Sequence, residues 1–351
     1  MYSFLTHITQ ALKGPKLGDP KHPTFWPSES SAVITNDYGE PEVLGACRRS
    51  TYFRQLLSQV SFGEDLELAI DTANLVSKLK TLKKPTSIYL TWIGIMGELL
   101  ETYFIQQAQK TGVFVEEQVI VFIPEYSVSG KIDIVIRNPQ TGKNSICEAK
   151  SIYGFNADSI MGKETFKTIV PGVPRDKNVM QIALYQWWFG NPHGFEYARL
   201  IYGDRGEGRI AEYLIDVRED EPGIWDIYYQ QIVPRIGVWT KASFSINDIL
   251  DSIVYIKSHI ANRTVPPRDF DWYIPKEKLD LMYSRNQLGK TDREQYEKHR
   301  DRVLENEQLI AAGSKPKADI KPLVKEDWHC GRCDWRDVCY TEEGVPKIVT
   351  C

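Results

Sequence analysis

The chain has no apolar run long enough to cross a bilayer. Stretches such as VEEQVIVFIP are interrupted by charge well short of the ~18 apolar residues a spanning helix needs. It does not open with a basic segment followed by an apolar one, so no secretory leader is expected. The expected location is the cytoplasm, or a host cytoplasm for a viral protein. An excess of positive charge is also missing. With 43 Lys and Arg against 47 Asp and Glu, the net charge of −4 argues against indiscriminate coating of nucleic acid but leaves room for a local basic groove. There is no internal repeat and no long low-complexity tract. At 351 residues, 42% hydrophobic and 26% charged, the chain can bury a core as one large domain or two ordinary ones. Cysteine is scarce, six in all, and the reducing compartment expected argues against a disulfide framework.

Three of those cysteines, Cys330, Cys333 and Cys339, form C-x2-C-x5-C in WHCGRCDWRDVC, and Cys47 lies near the other end in ACRRSTYFR. Four thiolates suit zinc or a [4Fe–4S] cluster. Zinc ribbons usually carry two C-x2-C pairs, whereas this set is one pair and two singles, which favours the cluster. Such a site closes only if the two chain ends meet. Cys147 reads as a buried core thiol and Cys351 as spare.

Residues 1–45, rich in Pro and Gly, read as a loosely structured lead-in. Helical spacing runs from Cys47 to about Leu82, and again through IYLTWIGIMGELLETYFIQQAQKTG with Gly112 as its cap. Strands are then expected in VFVEEQVIVFI, SGKIDIVIR and SICEAKSI, the last two joined by the turn NPQTGKN. An irregular stretch over 162–176 precedes a helix in NVMQIALYQWWFG. Strands in YARLIYGD and IAEYLIDV follow, then helix over 222–262 and a solvated charged helix, DREQYEKHRDRVLENEQLIAAG. The string LGKT at 288–291 resembles a phosphate loop, but Ser284 stands where its first Gly belongs, so an ATPase is rejected.

Alternation in KIDIVIR places Asp133 opposite Ile132, Ile134 and Ile136, and in CEAK it places Glu148 and Lys150 on one face. If the two strands pair, two carboxylates and a lysine converge. Adjacent carboxylates repel unless protonated or bridged by a cation, and hard oxygen ligands favour Mg²⁺ or Mn²⁺. The preceding helix offers Glu98 and Glu101, three apart, and the following one Gln181 and Tyr185, four apart, each pair on one helical face.

Helix, hairpin with D…ExK, then helix with Q-x3-Y is the order of the PD-(D/E)xK nuclease core. Over roughly 90–200 the chain resembles the RecB-like branch of that superfamily. CRRSTYFR and the terminal cysteine trio also resemble the ends of its cluster-bearing members, among them CRISPR-associated adaptation exonucleases and AddB-type nuclease domains. The resemblance implies an α/β fold with a restriction-endonuclease-like core, a central mixed sheet flanked by helices. An iron–sulfur cluster on Cys47, Cys330, Cys333 and Cys339 would join N- and C-terminal helical parts.

The implied activity is Mg²⁺- or Mn²⁺-dependent exonucleolytic hydrolysis of DNA, single-stranded and from 5′ ends. Asp133, Glu148 and one of Glu98 and Glu101 would bind metal, the glutamate standing where many relatives place His, as in several phage exonucleases. Lys150 would serve catalysis, and Gln181 and Tyr185 would position the DNA backbone or attacked phosphate. The expected parts are 1–89, helical with the first cysteine; 90–202, the nuclease core; 203–326, core completion and a helical insertion; and 327–351, the cysteine segment.

Arg48, Arg49, Arg54, Lys163, Lys167, Arg175 and Lys177 are candidate phosphate contacts, each more often a solvated charge. Trp187 and Trp188 are candidates for stacking on bases, with at least one expected in the core. A protein partner in recombination, replication or CRISPR adaptation is compatible with this reading. The rival reading is a non-catalytic DNA-end-binding or assembly subunit that keeps the fold and the cluster.

Overall fold

The structure, a computed structural model, describes residues 24–61, 88–164, 169–262, 264–270 and 276–317, together with 330, 333, 335 and 339. The chain divides into two compact units, 1–267 and 268–351.

A mixed seven-stranded sheet forms the first unit, with strands ordered β11-β10-β9-β8-β5-β4-β3. These are β3 (Phe114–Ile123), β4 (Val128–Arg137), β5 (Asn144–Ile152), β8 (Ala198–Asp204), β9 (Ile210–Glu221), β10 (Ile224–Val233) and β11 (Thr240–Ser245). Only β5 and β8 run parallel; every other neighbouring pair is antiparallel. A parallel pair needs a crossover. Here it comprises α3 (Phe155–Met161), the short strands β6 (Lys163–Glu164) and β7 (Ile169–Val170), and α4 (Asp176–Tyr185). Every α4 residue from Asn178 to Tyr185 is buried, so this helix is a core element.

The helix expected before the strands is α2 (Ile88–Lys110), stopped at Gly112, whose φ of 73° suits a residue without Cβ. Its Leu100 lies where a side chain on Gly203 of β8 would stand, which explains a glycine inside that strand. The helix expected after Cys47 is α1 (Arg48–Ser61). Its expected continuation LELAIDTANLVSKLK lies outside the described residues.

Two expectations are corrected. The lead-in contains a hairpin of β1 (Ser31–Thr35) and β2 (Pro41–Gly45), turned by Asn36, whose Oδ1 accepts the N–H groups of Tyr38 and Glu40. The stretch 222–262 is helical only from Ile246 onward. IWDIYYQQIV is β10, as its β-branched and aromatic residues favour, and pairs with β9. The helix α5 (Ile246–Ala261) starts where Ser245 and Asp248 form a capping box, and it buries Ile246, Ile249, Ile253 and Ile256 at helical spacing. β8 runs across residue 202, and β9, β10 and β11 continue the sheet beyond it.

In the second unit, α6 (Lys276–Ser284) and α7 (Lys290–Ala311) enclose a small core of Leu279, Leu288 and Tyr296. LGKT is the start of α7, with Gly289 as its N-cap. Among the described residues no helix is long and apolar enough to cross a membrane.

Candidate active site

The registered pairs of β4 and β5 cover only 134–137 against 144–147. Beyond that point β4 stays with β3, and β5 stays with β8. The ladder forks where Asp133 and Glu148 would face each other. There the Asp133 carboxylate substitutes for a backbone acceptor, its Oδ2 taking the Ala149 N–H at 2.9 Å. The expected convergence of Asp133, Glu148 and Lys150 is therefore present, and the side chain of the aspartate itself holds it.

Glu148 is 1% exposed. Its Oε1 accepts from Lys150 Nζ at 2.5 Å and from Gln181 Nε2 at 2.6 Å, while its buried Oε2 has no hydrogen-bond donor. The Asp133 and Glu148 carboxyls act on each other electrostatically. Two such groups share a site only with a proton or a cation between them. Burial, then Asp133, pushes Glu148 up to about 8, against the opposing pull of Lys150. Asp133 is raised as well, by burial, with Lys150 and the Ala149 N–H pulling it down. For Lys150 burial works downward, but Glu148 and Asp133 outweigh it and keep the ammonium charged.

Of the two helical glutamates, Glu101 reaches the fork. Burial and then Asp133 push it up to about 7, and its Oε1 accepts a hydrogen bond from Gln118 Nε2. Glu98 is exposed on α2. Sequence reasoning missed Gln118. Register extrapolated between Glu117↔Ile134 and Val119↔Ile132 places it opposite Asp133, and its φ of 55° is rare for a non-glycine residue. The one available signal was an uncharged polar residue interrupting VEEQVIV.

Comparison with protein-family models, with curated proteins and with solved structures finds no match.

Gln181 lies at the fork as expected. Tyr185 does not reach a surface that DNA could touch, being 2% exposed. Its hydroxyl is in hydrogen-bonding range of the Gln181 side chain and the Lys131 backbone, and it fills the space over Gly130 that a Cβ would need. Burial and then Glu148 raise its pKa, so it stays a neutral phenol. Tyr185 thus seats Gln181 and the glycine of GKID against each other.

Lys131 is exposed, and its charge acts on both Glu101 and Asp133. Desolvation, then Arg175 and Lys150, holds Lys177 below its usual value, so these three cations are neighbours beside the fork. Arg48 and Arg49 are used differently from the expectation. Arg48 lies over the Tyr255 ring at 4.4 Å, and the buried Arg49 lies 5.9 Å from the Phe53 ring centroid. Arg54 pairs with Glu29 and stacks on Trp26 at 4.5 Å. Arg48 and Arg54 thus fasten α1 to other parts of the unit, whereas the Arg49–Phe53 contact lies within the helix. The Lys163 side chain and Lys167 lie outside the described residues. Trp188 is committed too, its Nε1 donating to the Phe122 carbonyl at 2.9 Å within a π-helical turn, Gln186–Gly190.

The donor set at the fork is of the kind hard divalent cations take, three mutually repelling carboxyls, one with a buried oxygen that lacks a donor. Among the described residues no three His, Cys, Asp or Glu side chains form a ready metal cage. At the fork Gln118 donates to Glu101, and Lys150 and Gln181 occupy one oxygen of Glu148. The cysteines are divided between the units, Cys47 in the first and the trio in the second. Within the trio, the Cys333 N–H donates to the Cys330 carbonyl at 3.2 Å, and Cys330 Sγ donates to the Phe270 carbonyl at 3.6 Å. Cys147 is a buried thiol, pushed up by burial and facing away from the fork towards Arg199 and Glu212.

Proposed function

We propose that this chain is a divalent-metal-dependent nuclease of the PD-(D/E)xK type, with the fork between β4 and β5 as its centre. The observation that carries the reading is Glu148, a fully buried carboxylate held beside Asp133 and Glu101 with one oxygen unused. A stable fold alone has no use for three acids gathered around one buried carboxylate. The mixed sheet flanked by helices is compatible with a restriction-endonuclease-like core. DNA as substrate, and attack from 5′ ends of single strands, rest on the resemblance of GKID, CEAK and Q-x3-Y alone.

Asp133, Glu148 and Glu101 would hold Mg²⁺ or Mn²⁺, which supplies Lewis-acid polarisation of the phosphodiester and an acidified water. Lys150 keeps its proton and stands 2.5 Å from Glu148, placed to orient the attacking water and to offset charge developing on the phosphate. Gln181 holds Glu148 in its rotamer, and Tyr185 holds Gln181. Lys131, Arg175 and Lys177 supply positive charge on either side for the flanking phosphates.

The deciding experiment is degradation of labelled, end-blocked oligodeoxynucleotides with each metal, comparing wild type with Asp133→Ala. Cleavage that needs metal and is lost in the variant supports the proposal; equal product from both removes it. The occupied oxygens of Glu101 and Glu148 favour a second reading, a DNA-end-binding subunit with a closed centre. That reading expects DNA binding without cleavage in both proteins. The four-cysteine cluster is proposed separately as a structural clamp, and no catalytic step passes through it. Anaerobically purified protein should contain iron and sulfide in ratio to chain; zinc alone would overturn the cluster.

A further inference from the structure

We propose that Ile120 and Phe122 form a stacking shelf for unpaired bases of the strand whose phosphate lies at the fork, an assignment that rests on the nuclease reading above. β3 is an edge strand, and its register sets Ile120 beside Lys131 and Phe122 beside Ser129. This side of the β3–β4 ribbon is opposite the buried residues Val121, Ile123 and Ile132. Ile120 is 71% exposed and Phe122 49%, an apolar surface left to water at the end of the strand whose other face buries Val121 and Ile123.

The shelf adjoins the carboxylates. Lys131, level with Ile120, acts on both Glu101 and Asp133, and Gln118, two residues along β3, binds Glu101. At ~3.3 Å per residue, Ile120 lies ~7 Å and Phe122 ~13 Å along the ribbon from the level of Asp133. Phe122 is presented by a fixed backbone, because its carbonyl accepts the Trp188 indole N–H.

The occupant follows from the chemistry on each side. Lys131 on the ribbon, with Lys150, Arg175 and Lys177 across the fork, provides cations for a phosphate chain. Apolar side chains beside that track suit the exposed faces of unpaired bases, which a duplex keeps inside its own stack. A second protein strand adding to the edge of β3 is opposed by Glu116 and Glu117, both exposed on that strand.

The test uses the full chain with Ca²⁺ in place of Mg²⁺ and a short oligodeoxynucleotide carrying 2-aminopurine near one end. Wild type should quench the probe. Phe122→Ala should lose the quenching and bind the single strand ~10-fold more weakly, Ile120→Ala less so, with duplex affinity and circular dichroism unchanged. Phe122→Trp should keep the quenching. Equal quenching and affinity in both alanine variants would overturn the shelf while wild-type cleavage still upholds the nuclease. Quenching that depends on Phe122 in a protein that cuts nothing would uphold the shelf and remove the nuclease reading. Self-association lost in the variants, without any quenching, would overturn the shelf in favour of a protein interface.

Discussion

The two sides of the β5–β8 junction treat acidic residues in opposite ways. Toward β9, acids meet cations. Arg209 binds Asp204 at 2.9 Å and Asp158 at 3.0 Å, and Arg199 binds Glu212 at 2.7 Å and Glu196 at 3.5 Å. Hydrogen bonds and Arg209 hold Asp204 below the usual carboxylate range against the pull of desolvation. Toward β4, Glu101, Asp133 and Glu148 face one another, and all three are pushed up. The same sheet therefore contains a region built for stability and one that spends stability on crowded like charge. Such crowding is what folding alone would not select.

The largest effect expected to sharpen this contrast is on cleavage. Asp133→Asn and Glu148→Gln should each lower metal-dependent hydrolysis at least ~10³-fold. Neither should lower the metal-free melting temperature, since each relieves repulsion. Arg209→Ala should do the reverse, keeping activity while costing about 1–3 kcal/mol in denaturant unfolding, because Asp204 stays buried without its cation. Equal loss of activity from both kinds of variant would break the contrast.

Gln118→Ala releases the Glu101 carboxylate, so the metal concentration for half-maximal activity should shift ~10-fold in a Mn²⁺ titration. A general loss of folded protein, without that shift, would make Gln118 merely structural. At Gly130, substitution by Ala meets the Tyr185 hydroxyl and should cost about 1–3 kcal/mol. Adding Tyr185→Phe should recover part of that loss, which a double-mutant unfolding cycle measures.

The contrast also has a pH dependence. Glu148 lies at about 8 in the folded chain, above the ordinary value of 4.5. Below pH 4.5 both folded and unfolded states hold its proton; as pH rises towards 8 the unfolded chain releases it first, so the metal-free protein should lose stability across that window. Thermal melts from pH 5 to 9 should show the decline, and saturating Mn²⁺ should flatten it by taking the place of the proton.

Much of this architecture was legible because strand alternation and helical spacing are local signals. KIDIVIR and CEAK placed Asp133, Glu148 and Lys150, and NVMQIALY placed Gln181. Which face of α2 meets the sheet is not local, so Glu98 and Glu101 were indistinguishable until Gln118 and Asp133 stood beside one of them. Arg48 and Arg49 look like phosphate contacts in a string, yet Arg48 lies over the Tyr255 ring and Arg49 is buried. IWDIYYQQIV was misread as helix although its β-branched and aromatic residues favour a strand, and pairing with β9 decides the matter.

By itself the sequence determined the inventory, an aspartate, a glutamate–lysine pair and a following glutamine, and the strands and helices that present them. Only the tertiary structure decided that β4 and β5 part at Asp133, that Glu101 joins them, and that Tyr185 is sealed inside. The reason is range. Backbone preference acts over a few residues, whereas the protonation and reach of a carboxylate depend on neighbours a few ångströms away that the chain brings in from distant positions.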